Sequence, residues 1–531
     1  MKKIFQTIKP NEILVIPLLF FVTILIIANF HSTFEEWDGV IQYFQGIEIF
    51  HGEGYNNWGS HYWPPLYSIL IGLLSNFTSG FFAAKFISIL ASTFTLIVVF
   101  YLVTEFTGER KIAIISQLLI ALNPYYLISS IQAENHMLDT LFFVSAFFFL
   151  VKFIKDPDKK ANIVLLACST AFATLSRYTS YSLIPLILIV LIFYTKKKYF
   201  LSSFIIFTLL LLFINLPWYY YNYIKNGFPL HTWQYLNIGS YTYPGGIREW
   251  QWSGQTNYQN ISQILNDYPR AYFTNFIGNA IDGCINILRA TKIIIIISLL
   301  LIFSQRKNVD FHYPSQFIKN KYIQLFSIGF IGFLILVSQA FVFTQVFLSW
   351  NVLFTVFLIV VTINLIDLNG IKKLHLEILL ILLIINLGYS GVHINKYLKD
   401  ENDDDGELAD YKNVNTVLCK EKNIADSYIM AIHPARAYYA NSHYIMLPEY
   451  FKGNVAQLVK YEGLSEKVKT TQPKYLNIEN KNIHSDFLIY DIYSKTMLPQ
   501  FEFLFDEKSS KIPENFQLLF KGKDVVVYKI D

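Results

Sequence analysis

Charge is what this 531-residue chain has least of. Only 15% of its residues are Asp, Glu, Lys or Arg, against 53% hydrophobic and 17% aromatic. So dilute a charge argues against an ordinary soluble globule. Net charge is small as well: 43 basic minus 39 acidic side chains leaves +4, too little to suggest nucleic acid as a partner. Cysteine is scarce, and Cys168, Cys284 and Cys419 stand far apart with no CxxC pair. That excludes a disulfide framework and leaves the redox compartment open. There is no Gly-rich phosphate loop, no internal repeat and no low-complexity tract. No small-residue cleavage site follows the apolar run from Ile13 to Ala28, so the start reads as an uncleaved first helix and not a signal peptide.

What is present is a series of apolar runs, at about 11–30, 81–104, 112–130, 138–154, 161–176, 179–194, 200–221, 286–304, 323–344, 350–366 and 374–391. Each is near the roughly 20 residues that cross a bilayer core. A further run, 64–78, is short, opens with Pro64-Pro65 and contains Asn76, so it is expected to lie along the interface or dip into it. Lysine and arginine cluster in alternate connections: Lys2, Lys3 and Lys9; Arg110 and Lys111; Lys152 to Lys160; Lys196 to Lys198; Arg306 to Lys321; Lys372 and Lys373. The short opposite loops, 31–63, 131–137 and 345–349, hold none. The positive-inside rule then predicts about eleven transmembrane helices, with the N-terminus cytoplasmic and the C-terminus outside, in a plasma or inner membrane.

This pattern predicts a polytopic α-helical membrane domain over 1–396, with outer loops at 31–80 and 222–275, and a small extracytoplasmic α/β domain over 397–531. The acidic run Asp400 to Gly406 marks the boundary. Started at Glu401 it mimics a calcium loop, but Lys412 stands where a bidentate Glu is needed, so a solvated linker is expected. In the tail, strands are expected at Tyr428 to Ile432, Asp486 to Asp491 and Asp524 to Lys529, with helical stretches at Pro434 to Ala440 and Asn454 to Tyr461.

The first outer loop is the most distinctive stretch. From Phe30 to Ser60 it has no Lys or Arg but five carboxylates, Glu35, Glu36, Asp38, Glu48 and Glu53, and then it reaches Trp63-Pro64-Pro65-Leu66-Tyr67. A wet interface keeps a carboxylate ionised, so Asp38 can act as a general base on a hydroxyl or amine. Glu35 and Glu36 read as solvated loop acids. Glu134, His136 and Asp139 enter the fourth span from outside, where ionisable groups are costly unless paired or hydrated. Glu134 is the second catalytic candidate; helix capping is the plainer role for the cluster, and its spacing matches no strong metal pattern. Arg177 interrupts an apolar stretch, where a guanidinium can grip a phosphate bidentately. Lys85, also on the outer side, either joins it or snorkels. Two cations over an acidic loop suit a lipid phosphate. No cofactor is indicated.

Taken in order, these residues resemble a known family. Asp38-Gly39-Val40, Phe50-His-Gly-Glu-Gly54-Tyr55 and Trp63-Pro-Pro-Leu-Tyr67 are similar to the first outer loop of family thirty-nine membrane glycosyltransferases. These are GT-C fold enzymes that include protein O-mannosyltransferases and the lipid A aminoarabinose transferase. Ala83-Ala-Lys85, Asn123-Pro124, Ala133-Glu134, Leu175-Ser-Arg177-Tyr178, and Leu216-Pro-Trp218 with Tyr221-Asn222 resemble later motifs, over roughly residues 30–225. The tail ending Phe516 to Tyr528 resembles the small outer domain of many members. The chain departs from the pattern at Lys85 and Tyr221, where arginines are usual, and it lacks the acid pair of the aminoarabinose transferase. Glu36-Trp-Asp-Gly39 is faintly similar to an oligosaccharyltransferase signature that belongs in a soluble C-terminal domain, and carries no weight here.

The resemblance implies transfer of a sugar from a polyprenyl-phosphate donor, with inversion, to a protein, lipid or glycan acceptor outside the membrane. Asp38 would be the base, with Glu134 beside it. Arg177 and Lys85 would hold the donor phosphate, and Trp63, Tyr67, Tyr178, His136 and Asn222 would line the substrate site. A transporter or lipid-linked glycan flippase is the rival from another class, though paired broken spans are missing. A surface-glycan polymerase or ligase is the enzymatic rival.

Overall fold

The computed structural model describes residues 12–30, 36–50, 63–230, 232, 238, 261–304, 321–339, 344–365, 373–401, 407–448, 451, 453–460 and 484–531. Glu35, Glu53, the aromatic loop around Trp250 and most of the acidic linker lie outside them. Among the described residues the membrane portion is built of helices and short turns. Its elements are α1 (Glu12–Ala28), α2 (Trp37–Phe50), α3 (Leu66–Ser75), α4 (Gly80–Thr107), α5 (Arg110–Ala121), α6 (Pro124–Ile131), α7 (His136–Lys155), α8 (Lys160–Ser176), a 3₁₀ turn (Tyr178–Ser182), α9 (Leu183–Phe193) and α10 (Lys197–Asn226). Then come α11 (Ile261–Asp267), α12 (Pro269–Ser304), α13 (Lys321–Val337), α14 (Leu348–Leu365) and α15 (Lys373–Glu401).

The outside of this bundle is oily. Leu19 is 62% exposed, Phe213 73% and Phe303 74%, a surface that water does not tolerate and acyl chains do. Among the described residues, α4, α7 and 197–224 of α10 are each long and apolar enough to cross a bilayer. Runs 286–304 and 374–391 lie within α12 and α15, and the remaining apolar runs form shorter helices or lie partly outside the described residues. Local signals fix the ends of α4: Ser79 caps its first turn by accepting from Phe82 N–H, and Gly108 closes it at φ +72°, where a Cβ would be strained.

Two expectations are corrected here. The run 112–130 is not one straight span but α5 and α6, bent by 65°. Pro124 cannot continue α5, so Asn123 caps α6 instead, accepting from the N–H groups of Tyr125 and Tyr126. The break is tied to other helices: Leu122 O accepts from Ser390 Oγ, and the Asn123 side-chain Nδ2 donates to Ala290 O at 2.8 Å. The stretch carrying Asp38 is also not a loop. Residues 37–50 form α2, which crosses the short α3 at Gly46 and Gly72 with almost no clearance. At ten residues α3 is too short to span, as its Pro-Pro start suggested.

The tail holds a five-stranded sheet, β1 (Tyr428–Ala431), β2 (His443–Met446), β3 (Phe487–Asp491), β4 (Phe516–Lys521) and β5 (Val525–Ile530), ordered β2-β1-β3-β5-β4. β1 runs parallel to β2 and β3, while β5 runs antiparallel to β3 and β4. β1, β3 and β5 were legible from their apolar runs; β2 and β4 were not expected. Around the sheet lie α16 (Glu407–Leu418), α17 (Ala435–Ala440), α18 (Val455–Val459) and α19 (Ile492–Met497). One face of the sheet buries Ile429, Tyr444 and Val527 in a cluster that also contains Ile41 of α2 and Trp63. The sheet is thus a roof on α2. Trp37 packs edge-on against His433 at 5.4 Å, Tyr43 against Tyr438 at 5.1 Å, and the Tyr438 hydroxyl accepts from Phe81 N–H at 3.2 Å.

Candidate active site

The site lies where α2, the turn before α7 and the end of α8 meet under this roof. Asp38 occupies the first turn of α2. The Trp63 indole N–H donates to its carboxylate. Burial, and then the negative charge of Glu134, push the carboxyl from its ordinary 3.8 up to about 7; Arg177 and the Trp63 bond pull it partway back.

Glu36, one turn-start earlier, is not the solvated acid its position suggested. It is 8% exposed, and its Oε1 accepts from Ala133 N–H at 3.1 Å. This bond staples α2 to the turn that carries Glu134. Ser88 Oγ holds the same turn through Glu134 O at 2.9 Å, and Asn135 Nδ2 ties it to Ser176 O at 3.1 Å, the last residue of α8.

Arg177 follows in extended conformation, φ −151°, so its side chain leaves the helix axis. Its guanidinium donates to His136 Nδ1. A guanidinium has no acceptor, so His136 must present a lone pair there and carry its proton on Nε2. Nε2 lies 2.6 Å from Glu134 Oε2 and donates to it. Arg177, His136 and Glu134 therefore form one directed chain of hydrogen bonds. Asp139 stands behind, accepting from Ser180 Oγ and from Ser349 Oγ at 3.2 Å, and so it anchors the 3₁₀ turn after Arg177 to α7 and α14.

A cavity of about 320 Å³ opens beside Arg177, lined by Trp63, Arg177, Tyr178, Tyr181, Trp218 and Asn222 among others. Its walls are aromatic. Tyr178 stacks near Tyr181 at 6.0 Å, Trp218 on Tyr221 at 5.4 Å, and Asn222 Nδ2 donates to Pro229 O at 3.3 Å. Of the expected residues, Trp63, Arg177, Tyr178 and Asn222 line this space; Asp38, Glu134 and His136 form the polar layer next to it.

Two expected residues are elsewhere. Lys85 Nζ donates to Ala28 O, the end of α1, at 2.7 Å and lies over the Phe81 ring; it does not line the cavity. Tyr67 is fully buried, its hydroxyl donating to Ala84 O at 3.0 Å, so it packs α3 on α4. Tyr181 was missed. Its i,i+3 spacing from Tyr178 was the available signal, because a 3₁₀ turn eclipses such pairs. Among the described residues no group of three His, Cys, Asp or Glu side chains is disposed to hold a metal ion.

Fold and site together define a multi-pass membrane protein with a buried acid–cation cluster beside an aromatic cavity, under a small sheet. Comparison with known proteins agrees on the fold. Residues 63–221 match the family model for dolichyl-phosphate-mannose-protein mannosyltransferase. The chain also superposes on a crystal structure of ArnT from Cupriavidus metallidurans bound to undecaprenyl phosphate, with a TM-score of 0.63 and 11% identity, over 96% of this chain and 97% of that one. The apo form of the same protein gives 0.60 at 11% identity over the same shares. The archaeal oligosaccharyltransferase AglB from Archaeoglobus fulgidus, in complex with an inhibitory peptide and a dolichol-phosphate, gives 0.51 at 11% identity, over 90% of this chain and 69% of that one. No curated protein matches by sequence. The chain thus resembles the GT-C membrane glycosyltransferases in fold across nearly its whole length.

Proposed function

We propose that this protein transfers a glycosyl group from a polyprenyl-phosphate donor to an acceptor on the outer face of the membrane, with inversion. The donor phosphate binds at Arg177, beside the aromatic cavity. The acceptor oxygen or nitrogen attacks the anomeric carbon and gives its proton to Asp38. The anomeric C–O bond breaks, and its electron pair leaves on the lipid phosphate, where Arg177 meets the charge. His136 keeps the guanidinium aimed, and Glu134 fixes the His136 tautomer. In this reading the sugar is a hexose or pentose, the chain crosses the membrane eleven times, and Arg177 supplies positive charge to the leaving phosphate. Residues 1–396 form the transferase domain and 397–531 the outer domain.

The observation that carries the reading is the single connected cluster in which Asp38 feels both Glu134 and Arg177 while Trp63 and Arg177 face the cavity. A general base works best with a pKa near the operating pH, and burial has moved Asp38 there. The test is transfer by purified protein in detergent, comparing parent, Asp38→Asn and Arg177→Ala with labelled polyprenyl-phosphate sugars. Asp38→Asn is expected to lose about 100-fold or more in turnover while still binding donor. Arg177→Ala is expected to lose donor binding. Near-normal turnover by Asp38→Asn would remove the base, and full donor binding by Arg177→Ala would remove the clamp.

A further inference from the structure

A second polar place lies in the bundle, at the break between α5 and α6. Here α12 presents Arg289 and Lys292, three residues apart and so on one face. Both are exposed. Their surroundings are lipid-facing: on α12, Leu288 is 56% exposed and Ile296 50%, and on neighbouring α15, Ile385 and Leu387 are each 55% exposed. Beneath the cations is a narrow cleft of about 10 Å³, lined by Asn123, Arg289, Lys292, Asn386 and Tyr389, with room for one water-sized group. Asn386 is 3% exposed, and among the described residues no group shares a hydrogen bond with its amide. Lys292 Nζ lies over the Tyr389 ring at 4.3 Å, and Arg289 has no ion pair among the described residues. Asn386 thus lines a cleft shared with two cations on an apolar surface, which suits an anion of small radius attached to something apolar. The cleft shares no lining residue with the Arg177 cavity.

We propose that this cleft binds the phosphate of an anionic bilayer lipid. One phosphate oxygen enters the cleft and accepts from the Asn386 amide, and Arg289 and Lys292 flank the others. The acyl chains lie along the exposed faces of α12 and α15. The lipid would brace the bent α5–α6 pair, which is already tied to α12 by the Asn123 side chain and to α15 by Ser390.

The test is native mass spectrometry and thermal unfolding of the purified full chain in neutral detergent with added phosphatidylglycerol or phosphatidylcholine. The parent should retain phosphatidylglycerol and be stabilised by it. Arg289→Gln with Lys292→Gln, both at exposed positions, should retain at least threefold less. Asn386→Leu should fall between, and Arg177→Ala should match the parent. Retention by the double variant equal to the parent's, equal retention of phosphatidylcholine, or loss in Arg177→Ala instead would overturn the proposal. Displacement of the lipid by millimolar inorganic phosphate would show a free-anion site and also overturn it. If the double variant does not purify as a monodisperse protein, Arg289→Gln alone carries the comparison, with the same threshold.

Discussion

At the scale of residues, Asp38 is the group whose chemistry depends most on its neighbours. With its carboxyl raised to about 7, the base form dominates only above that pH, so kcat/KM should rise with pH through a limb near 7. Glu134→Gln removes a repelling charge and should move the limb down; Arg177→Ala removes an attracting one and should move it up. A pH–rate profile of the three proteins checks both signs, and shifts in the same direction would sink the assignment. Stability carries the opposite face of this shift. The folded protein keeps a proton that the unfolded chain releases between pH 3.8 and about 7, so stability falls as pH rises across that window. Asp38→Asn should abolish that fall, seen as a flatter plot of Tm against pH.

The hydrogen-bond chain gives another residue-scale prediction. His136→Gln keeps an acceptor for Arg177 and a donor for Glu134, whereas His136→Ala keeps neither. Donor affinity should drop more in the alanine variant, by about tenfold for the loss of a charge-assisted bond, with Gln recovering much of it. Of these residues, Asp38, Glu134, His136 and Arg177 were legible because ionisable side chains beside apolar runs stand out. Glu36 was not, since nothing in a run of acids says which one meets a buried N–H. Lys85 misled because an outer-side cation looks the same whether it faces a ligand or a helix end.

Among the elements, the α2–α3 crossing is the tightest. A Cβ at Gly46 would sit 2.3 Å from Ser68 O and 2.8 Å from Gly72 N, both backbone atoms that cannot swing away. Gly46→Ala should therefore push the helices apart and cost about 1–3 kcal/mol, read as a lower Tm. Gly278→Ala in α12 is the control. Nothing lies within 4 Å of its Cβ, and mid-helix alanine should be neutral or stabilising by about 1 kcal/mol. The apolar runs announced most helices, since crossing a bilayer demands length and hydrophobicity that a sequence displays openly. Helix α2 was hidden because Gly39, Gly46 and its acids read as loop residues. They serve instead close packing and Asp38. The bend at Asn123 was present as Asn-Pro, but hydropathy alone averages over it.

For the whole molecule, the roof decides much. Tyr438→Ala removes the edge-on contact with Tyr43 and the bond from Phe81 N–H, at a residue that does not line the cavity. Turnover should fall several-fold, with donor affinity near that of the parent. An equal loss of both would mean a general loss of folding. Orientation has a native reporter in exposed Cys419 on the tail. In a Cys284→Ser background, an impermeant maleimide should label it in sealed cells, while Lys159→Cys, at a site 66% exposed, should label only after lysis. The sheet's three inner strands could be read from sequence; its seat on α2 could not, because that contact joins residues nearly four hundred positions apart. The seat also dictates how heat should inactivate the protein. Helix α2 is clasped between a membrane bundle and a small sheet, and the smaller body has less holding it together, so it is expected to open first. Activity should then vanish on warming while most helical ellipticity persists, and inactivation should reverse on cooling as long as the sheet can re-form over Trp37 and Tyr43.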